Sequence, residues 1–516
     1  MESASRLWDL EFTSSEIDSM LPDLADQLEA YDSMRTVEIP NSVRPALVFD
    51  PFPPDGPSIS PRNRLEPGPP MRGDLTDDIE EIAFYTVREL GELIRTGKLN
   101  STRLTRIYLD RLKRYGPELE CVVTLTEEVA IEQAARADRE ITAGYYRGPL
   151  HGIPYGAKDL LSYPGYRTTW GAGPYREQVL AEKATVLKKL EEAGAVLVAK
   201  LTLGALAWGD VWYGGTTRNP WNTGQGSSGS SAGSAAATSA GLVGFSIGTE
   251  TWGSIVSPST RCGVTGLRPS FGRVSRAGAM ALSWSMDKIG PICRSAEGCA
   301  IVFDAMRGSD GIDPSVRDAG FEYVRRRSLD RLRIGYVGKE FDEGYGFGAP
   351  DSAALAVLEA SGYDLVEISL PDLPVYPLSI ILNVEAAAAF DSLTRTGRDE
   401  QLVRQVRNAW PNVFRAARTI PAVEYVQANR IRYMLCRAMD ELDVDVFVAP
   451  SFGPNLLLTN LTGHPCVVVP NGFDEEGNPV SITFTGRLFG EGPLLEFAAA
   501  YQEITGFHLK HPPEYE

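Results

Sequence analysis

Helical segments alternate with short apolar runs along most of this 516-residue chain, and this alternation limits its fold more than any other feature. The helix-like segment ATVLKKLEEAG leads directly into AVLVAKL, and the runs RIGYVG, DVFVAPS and PCVVVPNG repeat the strand-like pattern later. Short apolar strands between helices are typical of a large α/β sheet with helices on both faces. We therefore predict an α/β fold.

Two helices near the start of this pattern have clear sequence signals. A capping box, TVRE, predicts a helix that begins at Thr86, with Glu89 as the partner of the cap. A second helix is predicted from Ser101, because apolar residues follow at helical spacing, and Gly116 is predicted to end it.

The first eighty or so residues have a different character. An acidic helical stretch over residues 14–34 is followed by the Pro-rich segment RPALVFDPFPPDGPSISPRNRLEPGPPMRGD. Proline has no N–H to donate and a fixed φ, which disfavours helix and internal strand. We predict a helical and Pro-rich N-terminal extension over residues 1–82 and a single main domain over residues 83–516.

Composition excludes several classes of function. The formal net charge of −18 and the pI near 4.9 disfavour nucleic acid as a partner. The six cysteines lack C-x-x-C spacing, as expected for reduced thiols in a cytoplasmic protein. We find no export signal, no apolar run of about 18 residues and no zinc-type Cys/His cluster, so we expect neither a membrane span nor a metal.

The segment GQGSSGSSAGSAAATSAGLVGFSIGTETWGSI, residues 224–255, has an unusual composition. Sixteen of its first eighteen residues are Gly, Ser or Ala, which is the composition of a flexible linker. However, the serines run directly into small apolar residues that predict a helix and then a short strand. We favour a buried segment, in which hydroxyls and main-chain N–H groups approach closely enough to form a site.

A catalytic serine needs a base, which is usually histidine. The chain has only four histidines: His151, His464, His508 and His511. The last two lie in a C-terminal tail that we predict to be frayed, and no G-x-S-x-G nucleophile elbow occurs. A histidine triad is not excluded, but the sequence gives it little support.

Lys158 is the remaining candidate base. It lies in the apolar, strand-like run GIPYGAKDLL, where burial would lower the pKa of its amine enough for it to accept a proton. Its neighbour Asp159 should point to the opposite face of the strand and leave the amine unpaired. The alternative is a lysine at a strand end with its amine in solvent.

Three separated motifs resemble the amidase signature enzymes and occur in that family's order: GIPYGAKDLL, GSSAGSAAATSAGLVGFSIGTETWGSI and CGVTGLRPSFGRVS. The resemblance covers about residues 84–510. It implies an α/β/α sandwich around a large mixed β-sheet, and hydrolysis of carboxamide bonds through an acyl-enzyme. It also implies no metal or cofactor, a small-molecule amide substrate and a homodimer.

The resemblance also implies a Ser-cisSer-Lys triad. It assigns Lys158 as the base, Ser230 as the relay and Ser254 as the nucleophile, with Ser231 as the alternative relay. It places the oxyanion hole on the main-chain N–H groups of four consecutive residues: Thr251, Trp252, Gly253 and Ser254.

Two residues near the nucleophile depart from the family pattern. Glu250 and Trp252 stand where the family commonly has Asp and Gly. We predict that Trp208, Trp212 and Trp252 form an aromatic wall for aryl or bulky apolar amides, and for esters or carbamates of similar shape. The alternative is that these rings pack the core behind the catalytic loop.

Two other functions compete with a stand-alone amidase. One is the glutaminase subunit of a tRNA-dependent amidotransferase, which co-purification with a second subunit or glutaminase activity would favour. The other is a non-catalytic scaffold on the same fold, which a serine-reactive fluorophosphonate would fail to label.

Overall fold

The structure is a computed structural model that describes residues 2–53, 60–76, 79–325 and 329–516. The helices in these ranges are α1 (Glu2–Leu7), α2 (Ser14–Arg35), α3 (Ile79–Ile82), α4 (Val87–Arg95), α5 (Ser101–Leu119), α6 (Glu127–Thr142), α7 (Thr185–Glu192), α8 (Ala232–Ser239), α9 (Val256–Cys262), α10 (Ala296–Met306), α11 (Gly338–Asp342), α12 (Ala349–Ala360), α13 (Ile380–Ala389), α14 (Asp391–Arg395), α15 (Trp410–Ala417), α16 (Ala422–Asp440), α17 (Pro454–Thr462) and α18 (Glu491–Thr505). The strands are β1 (Asn63–Glu66), β2 (Val122–Leu125), β3 (Pro154–Lys158), β4 (Val196–Leu201), β5 (Val211–Trp212), β6 (Gly215–Thr216), β7 (Arg218–Asn219), β8 (Asn222–Gly226), β9 (Phe245–Glu250), β10 (Thr265–Arg268), β11 (Lys288–Cys293), β12 (Phe321–Val324), β13 (Ile334–Tyr336), β14 (Leu365–Glu367), β15 (Val446–Pro450), β16 (Cys466–Phe473) and β17 (Pro479–Gly486).

One mixed sheet of eleven strands organises the chain, in the order β14-β13-β15-β17-β16-β10-β11-β9-β3-β4-β2. Strands β14, β13 and β15 are parallel to one another, as are β9, β3 and β4, and the remaining pairs are antiparallel. The central strands are buried along their whole length, as their continuous apolar runs require. The predicted α/β fold with a large mixed sheet is confirmed.

The two early helices begin where the sequence predicts. Thr86 caps α4 through a capping box with Glu89, and α5 begins at Ser101. The predicted end of α5 at Gly116 is wrong. Gly116 is buried within the helix, where a Cβ would lie 3.1 Å from Val122. The helix continues to Leu119, and Glu120, with a φ of 47°, caps it.

The N-terminal segment contains one long helix, α2, and no further helix precedes β1 in residues 36–53 and 60–62. Strand β1 pairs in parallel with β12 in a two-stranded sheet, outside the main sheet. The Pro-rich segment therefore provides no strand to the interior of a sheet among the residues described, in agreement with the proline argument. Residues 54–59 of this segment lie outside the described ranges.

The C-terminal tail packs against the body of the protein, so the prediction of a frayed tail is wrong. Tyr515 is buried and its carbonyl oxygen accepts a hydrogen bond of 2.5 Å from Arg111. The His511 ring stacks on Phe84 at a centroid distance of 3.9 Å. These contacts outweigh the flexibility that the two prolines and polar composition of the tail suggested.

Candidate active site

The parallel strands β3 and β9 position the candidate site at their carboxyl ends, where ligand sites of α/β sheets commonly form. Lys158 is the last residue of β3, and Ser254 lies in the loop between β9 and α9. Ser230 and Ser231 come directly before α8, a helix that contacts both strands. The fold therefore brings together three segments that are widely separated in sequence.

The Gly/Ser/Ala composition of residues 224–241 is explained by close packing. A Cβ on Gly229 would lie 1.9 Å from the carbonyl oxygen of Gly209, and a Cβ on Gly233 would lie 2.5 Å from that of Cys121. Every residue from 230 to 250 is buried. The linker interpretation is excluded, because larger side chains could not fit where these backbones meet.

Lys158 is fully buried and is surrounded by hydroxyl groups. Its Nζ lies 2.8 Å from Ser230 Oγ, 3.0 Å from Ser231 Oγ and 2.8 Å from Thr249 Oγ1. Burial lowers the pKa of the Lys158 amine well below its ordinary value, and the more distant charges of Asp287 and Glu250 only partly oppose this. The alternative of a lysine with its amine in solvent is wrong.

Asp159 points to the opposite face of β3, as the strand periodicity predicts. Its Oδ1 pairs with Lys200 Nζ at 2.7 Å, and its Oδ2 accepts a hydrogen bond of 2.8 Å from Thr169 N. Both members of the Asp159–Lys200 pair are fully buried. The carboxylate next to Lys158 in sequence is thus used elsewhere and does not hold the Lys158 amine protonated.

The two adjacent serines differ in their bonding. The peptide bond between Gly229 and Ser230 is cis. Ser231 Oγ donates to the carbonyl oxygen of Thr249 and accepts from its N–H, both at 3.1 Å. The Ser230 hydroxyl, by contrast, bonds to Lys158 alone among the described residues. It is therefore free to exchange a proton with a further group.

Ser254 lies beside these serines through its backbone, because Ser231 N donates to Ser254 O at 3.1 Å. The Ser254 hydroxyl is partly exposed and forms no hydrogen bond with any described residue. In enzymes without substrate, catalytic hydrogen bonds are often long and tighten only in the complex.

The loop after β9 presents free main-chain donors. Gly253 has a φ of 81°, which glycine adopts without strain. Within the described ranges, no residue accepts a hydrogen bond from the N–H groups of Trp252, Gly253 or Ser254. Free N–H groups on a turn of this kind can stabilise a developing oxyanion.

Glu250 stabilises this loop through hydrogen bonds to its backbone, a role that the sequence did not reveal. Its Oε2 accepts hydrogen bonds from Ile255 N at 2.8 Å and Val256 N at 3.0 Å, directly after the serine. Its Oε1 pairs with Arg268 at 2.8 Å, in the motif CGVTGLRPS. Although burial acts in the opposite direction, the Arg268 charge and these hydrogen bonds hold the pKa of Glu250 at about 2.

Asp287 is a second supporting residue that sequence reasoning missed, since nothing in the flanking WSMDKIG marks it. Thr251 Oγ1 donates to Asp287 Oδ1 at 2.5 Å, and Asp287 Oδ2 accepts from Leu282 N and Ser283 N. Burial raises the pKa of the Asp287 carboxyl. Its contacts join the loop after β9 to the segment before β11.

A cavity of about 120 Å³ lies next to these residues. Thr249 and Thr251 form part of its wall, and Leu160, Met280 and Trp284 provide apolar surface. The cavity therefore adjoins Thr249, the residue whose hydroxyl contacts Lys158, and Thr251, the first residue of the loop that contains Ser254.

The three tryptophans predicted as substrate contacts do not meet in the structure. Trp252 is 38% exposed and faces Tyr376, with ring centroids 6.4 Å apart. Trp208 packs between Trp410 and Arg404, while Trp212 is buried against Tyr213. Their role in binding substrate stays a prediction.

None of the four histidines contacts the serines of the site among the described residues. His151 lies beside Glu140, and the ring of His464 bonds to Thr462. Burial lowers the pKa of His464 to about 3 and that of His508 to about 4. Neither a histidine base nor a group of three metal-ligating side chains is found within the described ranges.

Two further features concern the environment of the chain. All six cysteines are buried and unpaired. Across the described ranges, no helix has the length and apolarity needed to cross a lipid bilayer.

Comparison with known proteins identifies an enzyme that hydrolyses amide bonds. The family model Amidase matches residues 103–455, and the chain belongs to this amidase signature family. It is 32% identical over 478 residues to a subunit of glutamyl-tRNA(Gln) amidotransferase from Marinomonas sp. (strain MWYL1), covering 83% of this chain and 98% of that protein.

Solved structures give the same result. The peptide amidase from Stenotrophomonas maltophilia has a TM-score of 0.72 and 29% identity, over 84% of this chain and 98% of that one. A protein from a vestigial complex, studied for the origins of an s-triazine catabolic enzyme, has a TM-score of 0.75 and 27% identity, over 82% and 98% of the two chains. The predicted family and its enzymatic character are confirmed.

Proposed function

We propose that this protein is a serine hydrolase that cleaves carboxamide bonds through an acyl-enzyme on Ser254, with Ser230 as the relay and Lys158 as the base. The observation that carries the proposal is the buried Lys158 amine, 2.8 Å from Ser230 Oγ and without a carboxylate partner among the described residues. Burial in this setting favours the neutral form of the lysine, which is the form that can accept a proton.

The first half of the reaction forms the acyl-enzyme. Lys158 Nζ takes the proton of Ser230 as Ser230 takes that of Ser254, and Ser254 Oγ forms a bond to the amide carbonyl carbon. The free N–H groups of the loop after β9 stabilise the resulting oxyanion. The proton returns from Lys158 through Ser230 to the leaving nitrogen as the C–N bond breaks. Water then releases the acid by the same steps.

The bonding of the two serines supports Ser230 over Ser231 as the relay. Ser231 Oγ already donates to Thr249 O and accepts from Thr249 N, so its hydroxyl is fixed to β9. Ser230 has no such commitment to the backbone, and a relay must both donate and accept during the reaction.

The surroundings of the site support aryl or bulky apolar amides as substrates. Trp252 and Tyr376 are both exposed and form an aromatic pair next to the loop of Ser254. Apolar side chains of Leu160, Met280 and Trp284 line the adjacent cavity. A small polar amide such as glutamine would leave this apolar surface unused.

The similarity to the amidotransferase favours a second candidate, a glutaminase subunit that works with partner proteins. Glutaminase activity, or co-purification with a second subunit, would support it. Against it stands the apolar cavity described above.

We further propose that residues 83–516 form the catalytic domain, with residues 1–82 as an extension. The acidic net charge of −18 supports a small-molecule substrate and argues against a nucleic acid partner. From the six unpaired cysteines and the family resemblance we propose a cytoplasmic homodimer without a membrane partner. Light scattering of the purified chain tests the dimer.

Covalent labelling with a fluorophosphonate tests the mechanism. Ser254→Ala should lose labelling and at least ~10³-fold in kcat while remaining folded. Ser230→Ala should also lose activity, whereas the matched control Ser257→Ala should keep it, because Ser257 Oγ bonds only to Ser228 Oγ in the described ranges. Activity of Ser254→Ala close to that of the wild type would refute the assignment of the nucleophile. Full activity of Ser230→Ala would assign the relay to Ser231.

A further inference from the structure

The N-terminal segment reaches the cavity beside the site. Asn41 Nδ2 donates to Ala281 O at 2.9 Å, and Asn41 Oδ1 accepts from Ala281 N at 2.8 Å. Asn41, Ser42 and Arg44 line the same cavity as Thr249 and Thr251. A segment that precedes the family match by some sixty residues thus forms part of this wall.

A second set of contacts fixes the segment beyond the cavity. The Phe49 ring packs edge-on against the Phe271 ring, with centroids 5.2 Å apart. The Arg432 guanidinium lies 3.4 Å from the centroid of the Phe49 ring. The next residue, Asp50, pairs with Arg317. Residues 42–48 therefore connect two fixed points, Asn41 beside the cavity and the Phe49–Asp50 pair beyond it.

The charged groups that line the cavity differ in whether they are neutralised. Arg276 pairs with Asp313 at 2.9 Å. Asp287 accepts hydrogen bonds from two backbone N–H groups, and burial lowers the pKa of Lys288 well below its usual value. Arg44 is different, because its guanidinium is exposed and bonds only to its neighbour's carbonyl oxygen, Pro45 O, among the described residues.

We propose that Arg44 is a specificity-determining residue, which binds an anionic group at the end of the substrate remote from the scissile amide. This inference rests on the proposed function, because it identifies the substrate class of the same site. The apolar wall holds the body of the substrate, and a carboxylate at its far end meets Arg44, an exposed guanidinium of the cavity wall with no acidic partner among the described residues. The substrates are then apolar amides with a negatively charged tail.

Two probes of the nucleophile test this. One is an alkyl fluorophosphonate that ends in a carboxylate, and the other has the same chain ending in a methyl group. Arg44→Gln should slow labelling by the carboxylate probe about tenfold and leave labelling by the methyl probe unchanged. A tenfold loss is at the lower end of the values for hydrogen bonds between charged groups, because Arg44 is exposed. Arg44→Lys should restore part of the rate, because it restores the charge.

The control is Arg35→Gln, a variant of an exposed arginine in the same N-terminal segment, whose ion pair with Asp32 does not involve the cavity. It should affect neither probe. Higher ionic strength should reduce the preference of the wild type for the carboxylate probe. An equal response of both probes to Arg44→Gln would overturn the inference while leaving the proposed function intact. Failure of both probes to label the wild type would refute the proposed function and the inference with it.

Discussion

Replacement of Glu250 by Gln should reveal how the nucleophile loop is held. Glutamine keeps the size of the side chain but loses the charge that pairs with Arg268, and one of its two terminal atoms can no longer accept. Ile255 and Val256 directly follow the serine, and their N–H groups both donate to Glu250 Oε2. Glutamine weakens these two hydrogen bonds, because its terminal oxygen carries less negative charge than a carboxylate oxygen. We expect both a loss of stability and a fall in kcat.

The size of the stability loss follows from burial. Glu250 and Arg268 are both 0% exposed, and breaking a buried ion pair by removing one partner costs about 3–5 kcal/mol. The pKa of Glu250 gives an independent value. The difference between its ordinary value of 4.5 and about 2, at about 1.4 kcal/mol for each pH unit, corresponds to roughly 3 kcal/mol. The two routes agree.

The pH dependence of this loss has a definite sign. A carboxyl group with a lowered pKa stabilises the folded state fully above pH 4.5, and this contribution is lost as the pH falls from 4.5 toward 2. The difference in free energy of unfolding between wild type and Glu250→Gln should therefore be constant near neutrality. It should then shrink by about 1.4 kcal/mol per pH unit below 4.5.

Urea unfolding at several pH values measures this difference, together with kcat at pH 7. The matched control is Glu491→Gln, which removes another buried carboxylate, paired with Arg273 at 3.3 Å and bonded to Ser270 N rather than to the catalytic loop. It should lose stability but keep the kcat of the folded enzyme. A stability difference for Glu250→Gln that does not change with pH, or a kcat equal to that of the control, would refute the reasoning.

Two further substitutions test the base and the aromatic pair. Because burial lowers the pKa of Lys158, kcat/KM should rise with pH through an apparent pKa below 10.5. Lys158→Arg should be almost inactive, because a guanidinium stays charged. Retained activity with arginine would show that only a positive charge is needed. Trp252→Gly should lower kcat/KM selectively for aryl amides and spare small ones, since it removes one ring of the pair with Tyr376; an equal loss for every substrate would show that Trp252 is a packing residue.

Much of the fold was predictable because local pattern and tertiary structure agree. Three apolar runs form buried strands of the sheet, as their composition predicts: GIPYGAKDLL around Lys158, AVLVAKL and GFSIG. The capping box at Thr86 fixes a helix start through side-chain geometry that is entirely local. The end of α5 was not predictable in this way, because the packing of Gly116 against Val122 depends on a neighbouring strand.

The site divides along the same line. The burial of Lys158 follows from the apolar strand around it, and the direction of Asp159, to the opposite face of the strand, follows from strand periodicity. The roles of Glu250 and Asp287 could not be read in the sequence, since their partners lie on other strands and loops. The contact of Asn41 with Ala281 spans 240 positions, and no local pattern announces such a pairing.

The state of the base depends on how the sheet distributes charge between adjacent strands. Lys158 on β3 and Lys200 on β4 are both fully buried, yet the carboxylate of Asp159 lies 2.7 Å from Lys200 Nζ. Lys200 therefore has a buried counter-charge, while Lys158 has only hydroxyl and carbonyl partners in the described ranges. Because Lys158 and Asp159 are consecutive residues of the chain, alternation about the end of β3 is what separates them. A carboxylate placed at position 249, for example by Thr249→Asp, would give Lys158 the counter-charge that Lys200 now has. It would raise the pKa of the Lys158 amine and keep it protonated. The enzyme would then lose its base although every member of the triad remained in place.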